Sequence, residues 1–200
     1  MTAEPAKPII YLITKGEALD INFAVTSRKI LEIIRAAVAR EISFIQIREK
    51  ALSARLLFQL TRQAAALTRG TRTRILVNDR ADVALAAGAD GVHLTTTSLS
   101  TDVIRGNFPP GFLIAVSTHT EVEIILAEKL GADFAVFGPV FETPGKGSAK
   151  GLDELARVCA AVSSLPVLGL GGVDETNYES VMAAGAAGFA SIKWLNREAS

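Results

Sequence analysis

One cysteine, Cys159, is the whole thiol inventory of this chain, so no intrachain disulfide can form, in keeping with a reducing compartment. Charge of one sign is missing too. The 21 Lys and Arg residues are matched by 21 Asp and Glu, a formal net charge of zero. With no long run of like charge, nothing global points to nucleic acid or an anionic membrane surface. No apolar stretch reaches the roughly 18 residues that a membrane span needs, and Met1 to Pro8 lack the apolar stretch of a signal peptide. A cytoplasmic location is expected, with residues 1–8 as a disordered lead-in. Cys159 lies in an apolar helical stretch with no histidine near it in sequence, and reads as a buried structural thiol rather than a nucleophile. Histidine is nearly as scarce. His93, between Val92 and Leu94, reads as a packed strand residue, whereas His119, beside Ser117 and Thr118, is left open.

What the chain does have is apolar residues, 49% of 200, enough for one domain with a substantial core. They come as short strand-like runs alternating with longer stretches of helical spacing. The runs are Ile9 to Ile13, Ser43 to Ile47, Ile75 to Val77, Val92 to Leu94, Leu113 to Val116, Phe134 to Phe137, Val167 to Leu170 and Gly188 to Ile192. Between them, helices are expected at Ile30 to Val38, Ser53 to Leu67, up to Gly88, Leu99 to Phe108, Glu121 to Leu130, Leu152 to Val162 and Thr176 to Ala184. An eighth helix would be cut short after Trp194. Eight compact units favour a (β/α)8 TIM barrel in a single domain over an open doubly wound sheet. An internal echo supports one repeated architecture: Gly88-Ala89-Asp90, Gly131-Ala132-Asp133 and Gly185-Ala186-Ala187 each close a helix and open a strand.

In such a barrel, chemistry belongs at the C-terminal ends of the strands. The polar clusters of this chain fall there. Along Gln46-Ile47-Arg48-Glu49-Lys50, strand alternation sends Gln46, Arg48 and Lys50 to one face and Glu49 to the other, a trio suited to phosphate oxygens. In Asn78-Asp79-Arg80, Asp79 can hold Mg²⁺ while Asn78 and Arg80 hydrogen-bond phosphate, or Asp79 can simply cap the following helix. The segment Gly138 to Gly151 carries four glycines, Lys146, Lys150, Thr143 and Ser148, the composition of a lid bringing lysine to a phosphate. After the seventh strand, Gly171 and Gly172 offer backbone N–H groups where TIM barrels often bind phosphate.

Read in order, Tyr11-Leu12-Ile13-Thr14, Gln46-x-Arg48-x-Lys50, Asn78-Asp79-Arg80, Gly88-Ala89-Asp90-Gly91-Val92-His93-Leu94, Val116-Ser117-Thr118-His119, Gly138-Pro139-Val140-Phe141-x-Thr143-x-x-Lys146 and Gly171-Gly172-Val173 resemble the thiamine phosphate synthase family. The resemblance spans nearly the whole chain. It implies condensation of hydroxymethylpyrimidine pyrophosphate with a thiazole phosphate, releasing pyrophosphate with Mg²⁺. Residue by residue, it implies that Gln46, Arg48, Lys50, Asn78 and Ser117 contact the pyrimidine pyrophosphate, that Asp79 binds Mg²⁺ and that Lys146 clamps pyrophosphate. Thr143, Gly171, Gly172 and Ile192 would receive the thiazole phosphate. Arg48, Lys50, Lys146 and Ser117 are the expected catalytic set, acting mainly through electrostatics. The partners implied are small phosphorylated molecules, with homo-oligomerisation left open.

The sequence also departs from that family. Thr95-Thr96-Thr97-Ser98 follows Leu94, so Ser98 stands where a second metal-binding Asp is usual, with Asp102 the nearest carboxylate to compensate. Lys193 stands where a phosphate-holding Ser is usual. The TenI-like branch, which converts a thiazole phosphate tautomer to its aromatic form, often lacks that second Asp as well. It generally has a His where this chain has Pro139. A catalytically silent thiamine-phosphate-binding regulator is the third alternative.

Overall fold

The structure, a computed structural model, describes residues 7–197. The disorder expected for residues 1–6 therefore lies outside the described residues, while Lys7 and Pro8 lead straight into the first strand. Eight strands, β1 (Ile9–Ile13), β2 (Phe44–Ile47), β3 (Arg74–Asn78), β4 (Gly91–Leu94), β5 (Leu113–Thr118), β6 (Phe134–Phe137), β7 (Val167–Leu170) and β8 (Gly188–Ser191), pair in sequence order, all parallel. β8 closes on β1, with Ile9 opposite Gly188 and Leu12 opposite Ser191. Between the strands run α1 (Phe23–Ala39), α2 (Ala54–Thr68), α3 (Ala81–Ala87), α4 (Thr101–Asn107), α5 (Glu121–Lys129), α6 (Gly151–Ala160) and α7 (Tyr178–Ala183). The expected TIM barrel is the observed architecture.

Strand alternation divides the core in two. Leu12, Ile45, Ile47, Ile75, Val77, Val92, Ile114, Ala135 and Phe189 point outward and pack with the helices. Tyr11, Ile13, Leu76, Ala115, Phe134, Val136, Leu168 and Ala190 point inward and fill the barrel. Inside, the Phe44 and Phe134 rings stack at 4.7 Å and Tyr11 meets Phe134 edge-on at 5.3 Å. These rings sit one inward step below Gln46, Val136 and Ile13, so they form a solid floor under whatever occupies the upper rim.

The glycine echo has a mechanical basis. Gly88, Gly131 and Gly185 all adopt positive φ at helix ends (74°, 83° and 92°), and the following Asp90 and Asp133 accept the backbone N–H of Ile75 and Ile114 at 2.8 and 2.6 Å. They tie the lower rim together, opposite the expected site.

Three sequence expectations change. α7 starts at Tyr178 rather than Thr176, because Asp174 Oδ1 accepts the N–H and hydroxyl of Thr176, and Asn177 Oδ1 accepts the N–H of Asp174; this turn competes with helix. The short eighth helix is not formed among the described residues: after β8 the chain makes turns, and Trp194 stacks on Phe189 at 5.2 Å and Tyr178 at 5.8 Å. Cys159 is half-buried rather than fully buried, and its burial pushes the thiol up to about 11, so it stays protonated and inert. No helix among the described residues is long and apolar enough to cross a membrane.

Candidate active site

On the inward face the apolar stripe turns polar at the last step of several strands: Gln46 on β2, Asn78 on β3, His93 on β4 and Ser117 on β5. These four line one cavity of about 240 Å³ at the C-terminal mouth, with Arg48, Lys50, Thr143, Lys146, Gly171 and Ile192. Every substrate-contacting residue expected from sequence is thus brought to one place except Gly172. Gly172 sits just outside, its carbonyl accepting from Asn177 Nδ2 at 2.9 Å. A larger cavity of about 620 Å³ lies between α1 and Leu195 to Arg197. It holds none of the expected site residues, and its lining mixes Lys15, Lys29 and Arg40 with Glu17 and Glu32. The smaller cavity is the one that gathers the residues expected to carry the chemistry.

The charge at this mouth is one-sided. Arg48, Lys50 and Lys146 make no ion pair with a described residue, whereas Arg74, Arg105, Arg157 and Arg197 are all paired elsewhere. The tip of β2 is strapped in place. Buried Glu49, pointing away from the mouth, accepts the N–H of Gly16 at 3.1 Å and of Ala18 at 2.8 Å, and the Arg48 N–H donates to Thr14 Oγ1 at 2.9 Å. The loop after β1 thereby fixes the segment that presents both cations.

Arg80 corrects one expectation. Its guanidinium forms a fork with Asp82 at 2.8 and 2.6 Å, holding that carboxyl below the usual range, so it is engaged rather than offered to phosphate. Asp79 is not the helix cap: the capping position is Arg80, and no side-chain cap bond forms. Asp79 adopts φ of 63°, its N–H donates to the His93 carbonyl at 2.9 Å, and its exposed carboxylate has no partner among the described residues. It lines a second cavity of about 240 Å³ with Glu49, Arg80 and Thr97, and Lys50, Asn78 and Thr95 line both cavities. The two spaces adjoin.

Whether Mg²⁺ fits here follows from the donors. No group of three or more His, Cys, Asp or Glu converges among the described residues, and the Glu49 carboxylate is spent on two backbone N–H groups. Ser98 turns inward to its own loop, accepting the Thr95 N–H at 2.7 Å. Asp102 lies in the first turn of α4, bonded to the Ser100 hydroxyl, and lines neither cavity. One free carboxylate beside unpaired cations fits a Mg²⁺ ion shared with a ligand phosphate and water, not one held by protein alone.

The loop after β6 is anchored at its base and open at its tip. Val140 and Phe141 donate to the Leu170 and Gly171 carbonyls at 2.8 and 2.9 Å, while Pro144 to Ser148 are exposed. Gly171 has φ of 102°, and a Cβ there would lie 2.6 Å from Pro139, so only glycine lets the ends of β6 and β7 come this close. Lys193 is exposed and lines neither cavity. His119 sits half-exposed at the mouth, its backbone N–H held by Glu123 Oε2.

His93 is packed, as expected, but it does more than fill space. Its Nδ1 lies 3.1 Å from the Tyr11 hydroxyl and its Nε2 lies 2.8 Å from Ser117 Oγ. Burial, with the Arg48 charge adding, pushes the imidazole down to about 3, so it is neutral. Sequence reasoning missed this triad. The available signal was parity, since His93 lies on the inward face at the same height as Asn78, its partner in the β3–β4 register.

Comparison with known proteins identifies the family to which the sequence is similar. A family model described as thiamine monophosphate synthase matches residues 10–195. A thiamine-phosphate synthase of Methanoregula boonei is 41% identical over 186 residues, covering 92% of this chain and 83% of that protein. One from Moorella thermoacetica is 41% identical over 168 residues, covering 82% and 80%. Among solved structures, a thiamine phosphate pyrophosphorylase from Pyrococcus furiosus superposes with a TM-score of 0.78 at 29% identity, over 94% of this chain and 88% of that one.

Proposed function

The chain belongs to the thiamine monophosphate synthase family, and we propose that it is a transferase condensing hydroxymethylpyrimidine pyrophosphate with a thiazole phosphate to give thiamine phosphate and pyrophosphate. The observation that carries this reading is the convergence of unpaired Arg48, Lys50 and Lys146 on one mouth above an aromatic floor. Three cations with no internal carboxylate partner suit an anion of several charges better than a monophosphate. Arg48 and Lys50 bind the pyrophosphate from the fixed β2 tip, and Lys146 reaches it from the exposed loop. As the bond between pyrimidine methylene and oxygen breaks, negative charge grows on the departing pyrophosphate, and these cations stabilise it where it forms. Ser117, Gln46 and Asn78 orient the pyrimidine, while Thr143, the Gly171 backbone and Ile192 receive the thiazole phosphate. The packed floor keeps water from the reacting carbon.

Asp79, with water and the substrate's own phosphates, would hold Mg²⁺, which supplies further charge neutralisation to the leaving group. With Ser98 engaged in its loop, Mg²⁺ affinity in the absence of a phosphorylated ligand is low. The TenI-like reaction is the less favoured reading, since Pro139, which lines the cavity, offers no proton-transfer group.

The test is release of pyrophosphate from the pyrimidine substrate in the presence of the thiazole phosphate and Mg²⁺. No release sinks the synthase reading, and conversion of the thiazole tautomer alone selects the TenI-like one. Asp79→Ala should lower turnover roughly 100-fold, the scale of losing about 3 kcal/mol of charge stabilisation. Unchanged turnover would remove Asp79 from the metal site.

A further inference from the structure

The hydrogens of the buried triad can be placed by accounting. Tyr11 is fully buried, and among the described residues its hydroxyl has one hydrogen-bond partner, His93 Nδ1 at 3.1 Å. Suppose the neutral imidazole carried its hydrogen on Nδ1. The phenol oxygen would then accept, and its own hydrogen would be left without an acceptor among Phe44 and Phe134, an arrangement folded proteins avoid. With the hydrogen on Nε2, Tyr11 donates to Nδ1 and Nε2 donates to Ser117 Oγ at 2.8 Å, so every buried group is satisfied.

The consequence falls on Ser117. Its oxygen already accepts from His93, so its own hydrogen must turn away from the imidazole, and the open direction is the cavity that Ser117 lines. A serine hydroxyl ordinarily rotates to suit either a donor or an acceptor. This one has its polarity set from behind. We propose that Tyr11 and His93 are positioning residues that fix Ser117 as a hydrogen-bond donor, so that the site selects a ligand presenting a lone pair there, such as a ring nitrogen of the pyrimidine. The identity of that ligand rests on the synthase reading above, whereas the fixed polarity of Ser117 does not. A site built to donate rejects a ligand that places its own N–H at the same point, because two donors would then face each other without water between them.

No protonation change is involved. The imidazole stays neutral, and the chain acts by holding one tautomer rather than by moving a proton.

The direct test is nitrogen NMR of the full chain labelled with ¹⁵N-histidine, without ligand, near neutral pH. There are two histidines, and His119→Gln serves to assign them. The expected spectrum shows His93 with a protonated Nε2 and a pyridine-like Nδ1. A protonated Nδ1, or a charged ring, overturns the proposal.

The second measurement is calorimetric binding of hydroxymethylpyrimidine pyrophosphate and of the thiazole phosphate to Tyr11→Phe, which keeps the ring and removes only the hydroxyl. Freed of its partner, His93 can take either tautomer. The pyrimidine compound should bind about tenfold more weakly, the equivalent of one hydrogen bond, with thiazole phosphate binding unchanged. Equal loss for both ligands, or no loss for either, refutes the positioning role. Should Tyr11→Phe fail to fold, the wild-type spectrum still decides. If the wild type binds the pyrimidine compound without turning it over, only the synthase reading is lost. If it does not bind that compound at all, the reading and the ligand half of the proposal fall together.

Discussion

Acidification should weaken this fold through one buried residue. His93 is 3% exposed and its folded pKa is pushed from 6.5 down to about 3 by burial, with the Arg48 charge adding to the effect. In the unfolded chain the imidazole is free to protonate with its ordinary pKa. The folded value is the lower one, so the unfolded state binds more protons wherever the pH lies between the two. Stability is therefore fully present above 6.5 and is lost as pH falls toward about 3. Each pH unit in that window costs about 1.4 kcal/mol, so lowering the pH from about 7 to about 5 removes about 2 kcal/mol. The carboxyls of Asp20, Asp82, Asp102, Glu128 and Asp174 are all held below their ordinary values, so their contributions are lost only in stronger acid. Urea unfolding at the two pH values, in a His119→Gln background that removes the other histidine, isolates the effect. The chain with His93 should lose about 2 kcal/mol more than the same chain carrying His93→Gln. Equal losses in the two would refute the idea that His93 is buried neutral.

Other perturbations follow from the same geometry. Gly171→Ala puts a Cβ 2.6 Å from Pro139 at a φ of 102°, so it should cost about 2–3 kcal/mol in unfolding measurements and weaken thiazole phosphate binding. A neutral effect on both would mean the β6 and β7 ends yield easily. Glu49→Ala strands the N–H groups of Gly16 and Ala18 and should cost about 3 kcal/mol. It should also weaken pyrophosphate binding by calorimetry, although Glu49 does not line the cavity that holds Arg48 and Lys146, because the β2 tip loses its strap. Unaltered affinity would show that Arg48 and Lys50 hold their positions unaided. Cys159, with its thiol pushed from 9.0 to about 11, should react with a disulfide reagent about 100-fold more slowly in the folded than in the urea-unfolded chain at mildly alkaline pH. Comparable rates would place the thiol in water.

The barrel was legible because the apolar runs have the length and alternation of short parallel strands, and the three glycine echoes mark where helices end. Most of the mouth was legible for a related reason: Gln46, Arg48 and Lys50 follow directly from strand alternation, and Asn78 and Ser117 extend it. What escaped was partnership. Nothing in Asn78-Asp79-Arg80 says that Arg80 will fold back onto Asp82 two residues later, since that depends on rotamers at the start of α3. Nothing local to His93 says that Tyr11 and Ser117 will flank it, because those contacts span 82 and 24 residues and exist only once the barrel closes.

Parity also explains how the site keeps its charge. Within Arg48-Glu49-Lys50 the two cations and the carboxylate are adjacent in sequence, and in a loop they would neutralise one another. In the fold Arg48 and Lys50 line the mouth, whereas the Glu49 carboxylate turns to the loop after β1. Glu49 is then buried against the loop after β1, satisfied by two backbone N–H groups, and has no reason to turn back toward its neighbours. A slip of one residue at the end of β2 would reverse the arrangement, aiming the carboxylate into the cavity and burying two cations. The register between β2 and β3, in which Gln46 lies opposite Leu76 and Ile47 opposite Val77, prevents that slip by keeping Ile45 and Ile47 against the helices. The positive mouth is therefore a product of the same apolar alternation that builds the barrel.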